Sequence, residues 1–277
     1  MKTTPLISFL LALSLHTYGQ NAVTNSMPPK KYVEISARNI SFNAVGSYPQ
    51  ELLKVICDED TIKTVLISTF NEYDEPDRAS RMKTAPYEPN RKYTPGINRF
   101  TEPTEYVNSE SETTAAIADT IFDGTERSCL DVINKALAFS RRVKFDSQLA
   151  EQLDAGKSLT VPSDTVVKTM TGTCSEATNV FLALVRHMNI PARMVVGFWA
   201  IPDTEKSGSH AWAECYVEGV GWWAVDPQNG YPAMPFYAYK LFTGADFKDC
   251  QIHTLPDMYL RGDKSVLITV KSNINND

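Results

Sequence analysis

The stretch Thr171-Gly-Thr-Cys-Ser-Glu176, with the apolar run from Ala177 to Met188 behind it, governs the reading of the whole chain. Ala177, Val180, Phe181, Leu184 and Met188 recur at the i, i+3, i+4 spacing of a helix with one buried face. Ahead of them, Thr173 and Glu176 make the Thr-x-x-Glu pattern of a capping box, which predicts Thr173 as the N-cap and Cys174 as the first helical residue. A thiol there meets unpaired backbone N–H groups and the positive end of the helix dipole, and both favour the thiolate, the reactive form. Gly172 lets the chain turn in tightly. The helix is expected to end before Pro191, because proline cannot continue the ladder and pushes its predecessor toward extended geometry. Free cysteines are often small buried hydrophobes. Cys174, set between polar Thr173 and Ser175, lies off the apolar stripe and reads as a nucleophile instead.

At 277 residues and 43% hydrophobic content, the chain can build one large domain or two small ones. A formal net charge of −6 gives no basic footprint, so nucleic acid is not an implied partner. Residues 1–19 have the layout of a secretory signal: Lys2, an apolar core from Leu6 to Leu15, then Thr17-Tyr-Gly19. That core is too short to span a bilayer comfortably, and no other long apolar run exists. The mature protein is therefore expected to be exported, periplasmic or extracellular, without a membrane span. In such a compartment five cysteines (Cys57, Cys129, Cys174, Cys215 and Cys250) leave at least one thiol unpaired. If that thiol is Cys174, the other four can form up to two disulfides or stay reduced.

Residues 20–105 read as an accessory, partly β region, and 106–277 as the catalytic domain. In the first, alternation from Tyr32 to Val45 suggests two half-buried strands, and Val65-Leu-Ile67 a third strand or a helix end. Residues 71–105, rich in Glu, Asp, Pro, Arg and Tyr without periodicity, read as a long loop or linker. In the second, Asn108 to Glu112 caps a short helix through Ile121, and a longer one runs from Arg127 to Val143. Beyond Pro191, Arg193 to Trp199 has the composition of a buried strand and residues 202–209 that of a surface loop. His210 to Val217 and Trp222 to Asp226 then read as an antiparallel hairpin, and Ser265 to Lys271 as a last strand.

A nucleophilic thiol needs a base, and the base needs a third group to fix its tautomer. Of the four histidines, His16 lies in the signal and His253 in an unpatterned tail. His187 sits about three and a half turns along the helix from Cys174. That leaves His210. On its strand His210, Trp212, Glu214 and Tyr216 share one face, while Ala211, Ala213, Cys215 and Val217 share the other, which the small apolar side chains turn toward the core. The carboxylate expected beside it is Asp226. To lie on the histidine's face, Asp226 must sit in a register whose paired residue numbers sum to an even value, for example opposite Trp212, with His210 its diagonal neighbour. A regular two-residue turn at Gly219-Val220 would put Asp226 on the wrong face. A three- or five-residue connection or a bulge is therefore predicted, with Gly219 and Gly221 supplying the permissive backbone. Taken singly, His210 is a polar strand end and Asp226, before Pro227, a turn carboxylate; the combination is more specific than its parts.

These residues carry a family resemblance. Gly172-Thr-Cys174, Leu182-Ala-Leu-Val-Arg186, Ile190-Pro-Ala-Arg-Met-Val-Val-Gly197, His210-Ala-Trp-Ala-Glu214 and Gly221-Trp-Trp-Ala-Val-Asp-Pro227 resemble the core motifs of the transglutaminase-like superfamily, in a secreted bacterial form. The similarity spans roughly residues 105–230. It implies a papain-like α+β fold, with a cysteine-bearing helix packed on an antiparallel sheet, and a catalytic triad of Cys174, His210 and Asp226. It also implies a thioester acyl-enzyme, a reaction shared by cross-linking enzymes, peptidases, amidases and peptide N-glycanases. The oxyanion would be held by the backbone N–H of Cys174 and a second donor that the sequence does not identify. Trp199 and Trp212 are candidates to wall the cleft, though large aromatics are core residues first.

The expected function is that of a thiol hydrolase acting on an amide or peptide bond in a peptide, protein or cell-wall peptide, with water as the acceptor. A glutamine-to-amine transferase and a non-catalytic scaffold are the alternatives. No cofactor is implied. A structural metal held by Cys174, His210 and Asp226 is disfavoured by the lack of paired short spacings such as Cys-x-x-Cys.

Overall fold

The cysteine helix is the pillar of the molecule. The computed structural model describes residues 31–38, 42–57, 62–69, 75–154, 160–200, 207–235, 237–250 and 267–272. Their elements in chain order are β1 (Lys31–Arg38), β2 (Glu51–Cys57), β3 (Ile62–Thr69), α1 (Pro76–Thr84), α2 (Pro95–Asn98), α3 (Glu112–Ile121) and α4 (Cys129–Ser140). There follow β4 (Lys144–Phe145), α5 (Ser147–Asp154), α6 (Ser163–Thr169), β5 (Thr171–Gly172) and α7 (Cys174–His187). Four strands, β6 (Ala192–Ala200), β7 (Ser207–Val217), β8 (Gly221–Val225) and β9 (Ala238–Gly244), precede the last, β10 (Leu267–Ser272).

Helix α7 starts at Cys174 with Thr173 as its N-cap, and both halves of the capping box are made. It was expected to bury one face, yet it is buried from Ser175 to Arg186. The reason is that α3, α4 and α6 pack against it together with β6 and β7 of the sheet. A helix enclosed on all sides must satisfy its polar side chains internally. Thr178 does so by donating to the Cys174 carbonyl at 2.7 Å, and Asn179 in part, its Nδ2 donating to Val161 O at 3.0 Å while its buried Oδ1 has no partner among the described residues. At the far end Arg186 donates to Ala192 O at 3.0 and 2.8 Å and to Glu102 O at 3.0 Å, tying the helix to the start of β6.

The sheet order is β8-β7-β6-β9, with every neighbouring pair antiparallel. Helices and an antiparallel sheet in this arrangement give the α+β, papain-like and transglutaminase-like architecture. Ala211, Ala213, Cys215 and Val217 pack into the main core with Val180, Phe181 and Leu184 of α7, whereas Trp212 joins a second cluster with Val195 and Ala224. The alternation read from β7 therefore sorts its side chains between the two faces of the sheet.

A second sheet, ordered β10-β1-β3-β2 and antiparallel throughout, takes strands from both ends of the chain. The apolar run Val65-Leu-Ile67 lies in β3. Of the second strand expected before Val45, residues 39–41 lie outside the described residues; residues 42–50 are turns, and the next strand is β2, farther on. The turns are held instead by the edge of β9. Ala44 N donates to Leu241 O at 3.1 Å, Gln50 donates to Lys240 O at 3.0 Å, and Asn43 exchanges bonds with Thr243 at 2.9 and 3.0 Å.

Residues 75–105 are not the structureless linker that their composition suggested. They hold α1 and α2 and wrap the end of α7, where Tyr87 donates to Met188 O at 2.9 Å and Tyr93 to Asn189 O at 3.2 Å. Asn189, with a positive φ of 56°, returns two bonds, to Pro89 O and Arg91 O. Residues 1–19, the loop at 201–206, His253 and the Arg261-Gly-Asp263 tripeptide lie outside the described residues. Of the cysteines, Cys129, Cys174, Cys215 and Cys250 are free thiols, so no disulfide joins these four. Among the described residues no helix is long and apolar enough to cross a membrane.

Candidate active site

Cys174 is placed by a buried carboxylate. Glu176, with no exposed surface, accepts from Thr173 N at 2.8 Å and Thr173 Oγ1 at 2.6 Å, closing the first turn of α7. The same carboxylate accepts from Thr160 Oγ1 at 2.6 Å and Val161 N at 3.0 Å, so it also straps residues 160–161 to the helix start. The capping box was legible in the sequence; the strap was not, because nothing local connects Glu176 with Thr160. Gly172 is required by close approach: a Cβ there would fall 2.7 Å from Glu176 Cγ and nearer still to its Cβ. At the first helical position the backbone N–H of Cys174 has no intrahelical partner, so it is available to an incoming oxygen.

The hairpin register brings the carboxylate to the histidine. Strand β7 pairs with β8 as Ala213 with Val225, Cys215 with Trp223 and Val217 with Gly221, so the connection is the three residues Glu218-Gly219-Val220. This is the register that places Asp226 on the His210 face, and the glycines make it accessible with φ of +75° at Gly219 and +86° at Gly221. His210 Nε2 lies 2.9 Å from Asp226 Oδ2. Cys174 lies close enough to the ring to help raise its pKa, and with Nε2 spent on the carboxylate, Nδ1 is the nitrogen left for sulfur. The structure thus joins all three residues singled out from the sequence, while His187 turns elsewhere, its Nδ1 2.9 Å from Ser109 O.

Electrostatics bias this group toward an ion pair. Burial opposes charging His210, but the adjacent Asp226 charge, its hydrogen bond and the contact with Cys174 outweigh it and raise the imidazole pKa to about 10. Burial likewise works against an ionised Asp226, yet His210 and the bonds from Asn229 hold its carboxyl below the usual range.

The walls are as specific as the centre. Trp212, 2% exposed, lies behind His210 with ring centroids 6.1 Å apart and planes 28° from parallel. It fits because Gly197 faces it, where a Cβ would come 2.9 Å from the indole. Trp212 is therefore packing that supports the imidazole from behind. Farther along β7, Glu214 is fully buried between Arg193, at 2.6 Å, and Lys240. Lys240 in turn donates to Tyr48 O at 2.5 Å, which links this cluster to residues 42–50. The sequence placed Glu214 on the histidine's face; its cations come from β6 and β9 and carry no local signal. Among the described residues no group of three or more His, Cys, Asp or Glu is disposed to hold a metal ion.

A thiol on a helix start, set against an antiparallel sheet that presents an imidazole and a carboxylate, defines the class of papain-like thiol-enzyme folds. Residues 105–227, from before α3 to just past Asp226, match the model of the transglutaminase-like superfamily. Among solved structures, the chain is similar to one described as "a Putative Cysteine Protease from Cytophaga hutchinsonii". That likeness has a TM-score of 0.54 at 16% identity, covers 88% of this chain and 87% of the other, and is a likeness of fold. No curated protein sequence matches.

Proposed function

We propose that the protein is an exported thiol hydrolase that cleaves an amide or peptide bond, with Cys174 as nucleophile, His210 as general acid and base, and Asp226 as the group that orients the imidazole. The observation that carries this reading is the position of His210, hydrogen-bonded through Nε2 to a buried carboxylate and close beside the helix-borne thiol.

The steps follow from that geometry. The thiolate of Cys174 attacks the carbonyl carbon and a C–S bond forms, while the oxygen takes the negative charge beside the backbone N–H of Cys174. The His210 imidazolium gives its Nδ1 proton to the departing nitrogen, and the C–N bond breaks to leave a thioester. Neutral His210 then takes a proton from water, whose oxygen attacks the thioester. The C–S bond breaks, the acid is released, and the thiolate departs beside the imidazolium already formed, restoring the ion pair. Water is the acceptor in this reading because no feature of the sequence marks an amine site. The signal-like first nineteen residues favour action outside the cytoplasm, on a peptide, protein or cell-wall peptide.

The test is site-specific alkylation followed by turnover. Iodoacetamide should label Cys174 rapidly at neutral pH, the label should vanish in Cys174→Ser, and it should slow in His210→Ala. A peptide library incubated with and without a primary amine should then show hydrolysis exceeding amine incorporation; the reverse would make the enzyme a transferase. An inert Cys174 would make the domain a scaffold.

A further inference from the structure

Asp226 is held from two directions, and only one of them is the imidazole. Its Oδ2 accepts from His210 Nε2 at 2.9 Å and from the Asn229 side-chain amide, Nδ2, at 2.8 Å. Its Oδ1 accepts from the Asn229 backbone N–H at 3.1 Å. Both carboxylate oxygens are thus engaged by one residue three positions on, and turning the carboxylate about its Cβ–Cγ bond would break these bonds together. Asn229 lies two residues beyond the part of the chain that matches the family model.

The turn that carries Asn229 does not need its side chain. Asp226 N donates to Tyr231 O at 2.9 Å and Tyr231 N to Asp226 O at 3.0 Å, and Gly230 closes the loop with φ of +69°. Gly230 also lies against Arg141, where a Cβ would meet Cδ at 2.6 Å. Asn229 itself is exposed, so its amide can be removed without opening the core. A side-chain amide contributes to Asp226 something that the backbone bridge does not: a donor aimed at the oxygen that also receives the histidine proton. Because Nδ2 can only donate, it fixes that oxygen as an acceptor, and the shared oxygen in turn fixes Nε2 of His210 as the N–H end of the ring.

Resting on the thiol-hydrolase reading, we infer that Asn229 is a positioning residue of this site, acting through Asp226 to keep the imidazole in the tautomer and orientation that leave Nδ1 to Cys174. A donor to a carboxylate favours its charged form, so loss of the amide lets Asp226 take up a proton at higher pH. A residue that merely filled space in the turn would leave that titration unmoved.

The experiment uses the full chain and iodoacetamide, with the rate of Cys174 alkylation followed by mass spectrometry from about pH 2 to pH 9, a range that reaches below the ordinary carboxylate titration, where Asp226 is held. Asn229→Ala should alkylate on the order of tenfold more slowly at neutral pH, a modest loss of alignment. Its acid limb should move up by about one pH unit, the worth of one charge-assisted hydrogen bond. Asn229→Gln, which keeps a carboxamide, should recover part of both. Asn229→Ser, whose hydroxyl is too short to reach, should behave as Asn229→Ala and serves as the second removal if the alanine variant does not fold. Profiles of the alanine and serine variants that superimpose on the wild type, while His210→Ala is slow, would overturn the inference alone. A His210→Ala protein alkylated as fast as the wild type would overturn the underlying reading, and this inference with it.

Discussion

Val217 and Gly221 face each other across β7 and β8, separated by three residues, and that spacing decides which side of the sheet Asp226 occupies. Side chains alternate along a strand, so one residue fewer in the turn would move every β8 side chain to the opposite face. Deleting Val220 should therefore carry Asp226 away from His210. The expected result is loss of iodoacetamide reactivity at Cys174 to the level of His210→Ala. Circular dichroism should show how much of the sheet survives. A fully reactive deletion variant would mean that the register does not place the carboxylate.

The imidazole and carboxylate should each matter to reactivity, in an order set by their distance from sulfur. His210→Ala removes the proton acceptor, and turnover on any amide substrate should fall on the order of a thousandfold or more. Asp226→Asn keeps the shape but can give the ring the wrong tautomer, with a loss of comparable size. The measurement is the rate of peptide hydrolysis once a substrate is found, and Cys174 alkylation before then.

The His210 and Asp226 pair should leave a signature in stability against pH. His210 titrates near 6.5 when unfolded and near 10 when folded, so its contribution is complete below about pH 6.5 and is lost as pH rises toward 10. Asp226 is shifted the other way, so its contribution is complete above the ordinary carboxylate range, about 4, and is lost as pH falls below it. Urea denaturation of wild type and His210→Ala should show the largest difference between roughly pH 4 and 6.5 and a narrowing gap above that. A gap that widened from pH 7 to pH 10 would contradict the assignment.

Glu214 predicts a large structural cost without direct chemistry. Changing it to Gln leaves Lys240, 2% exposed, and the half-buried Arg193 without their shared carboxylate. Breaking a buried ion pair from one side costs about 3–5 kcal/mol. Chemical denaturation should show a loss of that order.

Gly172 offers a sharper probe of the helix start. A methyl group at this position collides with Glu176, and the overpacking should cost about 1–3 kcal/mol. The displaced first turn should also slow Cys174 alkylation. Full reactivity with unchanged stability in Gly172→Ala would show that the turn yields freely.

What the sequence disclosed is what depends on neighbours in the chain. The start of α7 was readable because a Thr and a Glu three apart specify a cap, and the hairpin register because two glycines and the alternation of β7 constrain the turn. The wrapping of residues 75–105 was not, because Tyr87 and Tyr93 find their acceptors at Met188 and Asn189, nearly a hundred residues away. The same holds for the cations of Glu214 and for β9, whose partner β6 lies across the intervening hairpin. Full enclosure of α7 was missed for a related reason: Thr178 and Asn179 look like a solvent face until the groups that accept from them are seen.

The pairing of β1 with β10 sets a schedule for assembly. Val33 stands beside Ser272, so β1 waits for a strand made much later in the chain. Until β10 has been made, one rim of β1 has no ladder partner, and such a rim invites pairing with other chains. Closing a loop of that length is also slow. This sheet is thus completed only once β10 has been made, which makes that strand the seal on β1.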